Sequence, residues 1–133
     1  AEGVTIMDPK ACSGRTLAFL GDAVWSLCVR EYLLESGEGK GKTLQKKSIA
    51  YVSAKAQSRF YGYLHKEGFF TPEEEDVYHR GRNAHSTSSP KNTDVQIYRM
   101  STGFEAILGA LWLEGKQDRI REMWDRVRTM EEK

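Results

Sequence analysis

The sequence predicts an all-α fold. Apolar residues recur at spacings of three and four along almost the whole chain, as one face of a helix requires. Thr, Pro, Glu and Gly stand where helices start and stop. The alternating β-branched runs and the Asn-Gly or Asp-Gly turns of sheet proteins are missing. A chain of 133 residues suits one core, so a single domain is expected over residues 1–133, its core spanning about 14–128, with no appended module.

Each element can be justified in order. Thr16 is placed to cap a helix through TLAFLGDAVWSLCVREYLLES, which should stop before Gly37. Thr43 is placed to cap a second, LQKKSIAYVSAKAQSRFYGYLHKE, with Leu44, Ile49, Val52, Ala56, Phe60 and Leu64 as its apolar stripe and Gly68 beyond its end. These two helices should pack as neighbours. Thr71, Pro72 and Glu74 form a compact start for a short third helix: a hydroxyl cap, a proline whose missing N–H is not needed there, and a glutamate positioned for a capping box. That helix should run out in the polar loop GRNAHSTSSPKN, residues 81–92. Thr93 and Gln96 repeat the capping-box spacing and open DVQIYRMSTGFEAILGALWLE, expected to bend around Ser101–Gly103. Ile120, Met123, Trp124, Val127 and Met130 mark a last amphipathic helix.

Composition narrows the function. Hydrophobic residues make up 39% and charged residues 29%, and no run of eighteen apolar residues could span a bilayer. The chain starts at Ala1 with no signal-peptide core behind it, so a trimmed or processed product is expected. Cys12 and Cys28 have neither CxxC spacing nor a neighbouring His, which argues against a zinc site or disulfide scaffold and for a reducing compartment. A net charge of +1 lacks the strong positive field of many nucleic-acid binders, so any such contact must come from local patches. Charge is segregated: Lys40, Lys42, Lys46, Lys47 and Lys55 cluster early, Arg80, Arg82 and Lys91 lie mid-chain, and Glu73–Asp76 is an acidic run.

Two acids interrupt core-like segments. Asp22 lies in LAFLGDAVW and Glu105 in GFEAILGALWL. A buried carboxylate needs hydrogen bonds, a counter-charge or a metal. Asp22 shares a helix face with Ala18, and Glu105 with Ser101, Thr102 and Gly109. Such small residues let helices approach closely and leave room around an acid. Two readings stand: each acid is neutralised by a core arginine (Arg30, Arg80 or Arg99), or the pair shares a hard cation. Mg²⁺ is often held by one or two carboxylates plus water and phosphate, with Mn²⁺ as a substitute, and beside a phosphodiester it supports hydrolysis. Arg80, Arg82, His85 and Lys91 could then contact phosphates, with Asn83, Ser86, Ser88 and Asn92 adding neutral hydrogen bonds, unless the loop is only a solvated connection. His65, His79 and His85 lack ligand spacing, and Phe60, Tyr61, Tyr63, Phe69 and Phe70 follow a packing stripe.

FLGDAV (residues 19–24) and FEAILGALWL (104–113) resemble the two catalytic motifs of the ribonuclease III nuclease domain. YVSAKAQ (51–57), RGRNA (80–84) and PKNTDVQIYRMSTGFEA (90–106) resemble segments of its Mini-ribonuclease III branch, which lacks a double-stranded-RNA-binding domain. The likeness runs from about Leu17 to Gly115. It implies an all-α, Mg²⁺-dependent endoribonuclease for double-stranded RNA, with Asp22 and Glu105 as catalytic metal ligands. It further implies a two-fold homodimer in which each subunit cuts one strand and Phe19 inserts into the partner, although a plain core phenylalanine is the competing reading. Implied substrates are large-subunit (23S-type) ribosomal RNA precursors in the bacterial cytoplasm, or ribosomal and intron RNA in the plastid stroma. Ala18, Thr102 and Ala54 stand where full-length relatives carry further acids, which implies a thinner donor set completed by water. Two other functions remain open: a non-catalytic RNA-binding or ribosome-associated module, and a helical adaptor in which Asp22 and Glu105 form internal salt bridges.

Overall fold

The first helix begins at a serine. In a computed structural model describing residues 8–37, 41–84 and 93–131, Ser13 caps α1 (Gly14–Glu35), its Oγ accepting the Thr16 N–H at 3.1 Å. Thr16, the expected cap, therefore lies inside the first turn: Ser13 reaches the orphan donor three residues on and ends the competition locally. A short 3-10 turn, Pro9–Ala11, precedes it. At the far end Gly37 takes a φ of 81°, the left-handed conformation that terminates a helix most readily at glycine.

The predicted second helix is two helices, α2 (Gly41–Val52) and α3 (Ala54–Lys66). Ser53 makes the break. Its backbone is extended, φ −65° and ψ 153°, and its side chain accepts the Ala56 N–H. A hydroxyl that can cap a new helix competes with continuation of the old one, which periodicity alone does not register. α3 consequently buries Ala56, Gln57, Phe60, Tyr61 and Leu64, whereas α2 buries none of its side chains and Ile49 of the expected stripe is exposed.

α4 (Pro72–Arg82) starts with the complete capping box between Thr71 and Glu74. It extends through Gly81 and Arg82, which the sequence had placed in the loop. Gly81 lies too close to Ala106 and Gly103 of the next helix for any side chain of its own. α5 (Thr93–Leu113) is one helix through Ser101–Gly103, where a bend was expected, and α6 (Gln117–Glu131) buries Ile120, Met123, Trp124 and Val127. Thr93 is the first residue of α5 and its side chain lies outside the described set; Gln96 accepts instead from Arg82 Nη2 at 3.2 Å. Among the described residues no strand occurs.

α5 is the centre, packed against α1, α3, α4 and α6. Trp25 of α1 meets Phe104 of α5 and Trp124 of α6 edge-on, with centroids 5.0 and 5.1 Å apart, in a core that also buries Phe60, Leu64, Ile107, Leu108 and Met123. No described helix is long and apolar enough to cross a membrane.

Candidate active site

α1 and α5 touch through glycine. A Cβ on Gly21 would lie 1.7 Å from the Glu105 carbonyl oxygen, and one on Gly109 would lie 2.0 Å from that of Leu17. Only hydrogen fits at either position, so the two backbones are in contact and Asp22, the residue after Gly21, meets the side chain of Glu105. Small residues thus serve close approach here. Ala18 gives no clearance around the acids, being buried with Cys12, Leu17, Ala106 and Ala110.

Asp22 is exposed and Glu105 half-buried, so only one of the acids sits in the core-like setting the sequence suggested for both. Their carboxyl groups are within hydrogen-bonding reach. Burial pushes Glu105 up to about 8; its contact with Asp22 and that residue's negative charge push the same way, and donation from Gln57 pulls back. The ion pairs seen among the described residues join other acids, Glu31, Glu74, Glu75, Glu114, Glu122, Asp125 and Glu131, and Arg99 has contacts of its own. Arg80 instead donates to the carbonyls of Pro9 and Cys12, and Arg30 borders a groove between α1 and α2.

Two touching carboxyl groups without a cation must share a proton or take up a positive ion. An all-oxygen pair of this kind fits a hard divalent metal that keeps several waters. Among the described residues no cluster of three or more His, Cys, Asp or Glu could hold a metal ion, so Asp22 and Glu105 are the acids that could hold one at this crossing. Ser101 and Thr102, on the face of Glu105, donate to the carbonyl of Tyr98 at 2.7 and 3.0 Å.

Gln57, which sequence reasoning did not single out, touches Glu105. It is 1% exposed, and its Nε2 donates to Glu105 Oε2 at 3.3 Å and to the Val52 carbonyl at 3.2 Å. The available signal was an amide inside the apolar stripe of α3, four residues after Ser53.

The other predicted site residues divide. Phe19 is 84% exposed, which overturns the core-phenylalanine reading. Arg82 donates to Gln96 and, at 3.3 Å through Nη1, to exposed Asn83, the C-cap of α4. His85, Lys91 and Asn92, with Ser86, Ser88 and Lys40, lie outside the described residues.

An all-helical domain with paired carboxyl groups at a glycine crossing defines a class. The ribonuclease III domain family matches residues 15–116, and the chain belongs to the ribonuclease III family of endoribonucleases. Within it, the chain is similar to proteins named Mini-ribonuclease 3. That of Brevibacillus brevis is 48% identical over 117 residues, covering 87% of this chain and 85% of the relative. Those of Staphylococcus aureus and Streptococcus pneumoniae are 43% and 42% identical, covering 91% and 89% of this chain and 90% and 92% of the relatives. A crystal structure of a Fusobacterium nucleatum protein superposes with a TM-score of 0.78 at 35% identity, covering 93% of this chain and 98% of the other.

Proposed function

We propose that the chain hydrolyses phosphodiester bonds of double-stranded RNA with Mg²⁺ held by Asp22 and Glu105. The observation that carries this is the contact between the carboxyl groups of exposed Asp22 and half-buried Glu105 at the glycine crossing. When bound there, the ion would lower the pKa of a water and stabilise charge growing on the phosphate and the leaving oxygen. Asp22 is exposed and so accessible to a duplex, while Glu105 is held from within the protein by Gln57. Arg82 and Asn83, at the end of α4, with His85, Lys91 and Asn92 of the following segment, take backbone phosphates. Arg80 contributes less directly, because its guanidinium fastens the N-terminal turn.

Phe19 lies one turn before Asp22 on α1, and its exposure supports a contact with a second copy beside the site. A two-fold dimer suits the antiparallel strands of one duplex and adds avidity without a separate RNA-binding domain. The relatives named Mini-ribonuclease 3 are bacterial, which favours a bacterial cytoplasm over a plastid, and the substrate proposed there is the large-subunit (23S-type) ribosomal RNA precursor.

The test is a duplex RNA incubated with and without Mg²⁺, with products mapped on both strands, for the parent, Asp22→Asn and Glu105→Gln. Cleavage should require Mg²⁺ and fall to background in both variants while duplex binding persists. Cutting at the parental rate by either variant overturns the assignment.

A further inference from the structure

We infer that Gln57 is a positioning residue for the catalytic pair: it orients the Glu105 carboxylate and presents its own side-chain oxygen to an ordered water of the site. This rests on the reading that Asp22 and Glu105 hold the metal.

The α2–α3 break is what makes the arrangement. Ending α2 at Val52 leaves that residue's carbonyl without a helical partner, and Gln57 Nε2 donates to it at 3.2 Å. The same nitrogen reaches Glu105 Oε2 at 3.3 Å, so the amide is held between a fixed backbone group and the acid. The preceding carbonyl, that of Tyr51, accepts Trp25 Nε1–H at 2.8 Å, and Trp25 stands one turn after Asp22 on α1. Both helices that carry the acids are thereby tied to one short piece of backbone, residues 51–52.

Gln57 Oε1 is buried and has no hydrogen-bond partner among the described residues. Reversing the amide does not cure this, because both groups facing Nε2 are acceptors. A buried amide oxygen calls for a donor, and water is the donor that a polar site can hold. A glutamine is suited to this place: it donates to a carboxylate without adding charge. With only two acidic ligands, groups that orient them matter to metal affinity.

The experiment is calorimetric titration of the full chain with Mn²⁺, for the parent and Gln57→Met, beside thermal melts in chelator and duplex cleavage across metal concentrations. Gln57→Met keeps shape and loses both hydrogen-bonding groups. The expected result is Mn²⁺ affinity lower by about 10–100-fold, a melting temperature in chelator within a few degrees of the parent, and cleavage partly restored by excess metal with KM for duplex unchanged. A purely structural role predicts the reverse, a lower melting temperature with unchanged Mn²⁺ affinity, and that result overturns the inference. Should Gln57→Met fail to fold, Gln57→Asn keeps the amide but is one methylene too short to reach Glu105 and must lower Mn²⁺ affinity; unchanged affinity overturns the inference. A parent that takes up no Mn²⁺ overturns the metal reading and this inference with it, an outcome distinct from a parent that binds and a variant that binds equally well.

Discussion

The backbone of Gly21 rests directly on the backbone of Glu105, with room for no atom between them: a Cβ at Gly21 would fall 1.7 Å from the Glu105 carbonyl oxygen. In an exposed helix, glycine to alanine stabilises by up to about 1 kcal/mol. Here the added methyl must push α1 from α5, and overpacking of this sort costs typically about 1–3 kcal/mol. Gly21→Ala should therefore melt below the parent in a thermal scan and lose cleavage, since the crossing sets where the two acids meet. Melting above the parent would contradict the crossing.

The raised pKa of Glu105 gives a signed pH dependence. Its ordinary value is 4.5 and burial beside Asp22 lifts it to about 8, so the folded chain binds this proton more tightly than the unfolded chain. The contribution is complete below about pH 4.5 and is lost as the pH rises towards 8. In chelator, the parent should melt at falling temperature across that window, whereas Glu105→Gln should flatten the decline and be the more stable protein at pH 8.5. Added Mg²⁺ should restore the parent's stability and leave the variant nearly unmoved. Equal melting curves for parent and variant in chelator would sink the argument.

Glu74 titrates in the opposite sense. Burial alone would raise it, but hydrogen bonds from Arg119 and from the Thr71 N–H, with the charges of Arg119 and Lys116, bring it below 4.5. Arg119 meets it through two bonds of 2.8 Å and also lies over the ring of Phe69. Its contribution is present above the ordinary carboxylate value and lost as the pH falls below it. Glu74→Gln weakens both the capping box and this pair, and a loss of about 2 kcal/mol is expected in urea denaturation at pH 7. At pH 3 the difference from the parent should shrink.

Phe19 separates association from folding. At 84% exposure its ring contributes little to the protomer, so Phe19→Ala should change stability by less than about 0.5 kcal/mol at concentrations where the chain is monomeric. Sedimentation at micromolar concentration should show the parent as a dimer and the variant shifted to monomer. A variant that remains dimeric removes Phe19 from the contact.

Much of this was legible in the chain. Helix periodicity, the Thr71–Glu74 capping box and the stops at Gly37 and Gly68 act over four residues or fewer, so sequence by itself determined the all-α class and most element positions. It also singled out Asp22 and Glu105, because an acid in an apolar run is visible without knowing its surroundings. Ser53 shows the first limit: its capping bond is local, yet it competes with a continuing helix on nearly equal terms, and packing of α3 decides. Ala18 and Phe19 show the second, since adjacent residues of one helix become a buried contact and an exposed ring only once α5 is in place. Gln57 shows the third. It lies 48 residues from Glu105, and nothing along the chain links them. Only the tertiary structure, by ending α2 at Val52 and crossing α1 over α5 at glycine, brings amide and carboxylates within hydrogen-bonding distance, because that proximity comes from backbone contact between distant segments.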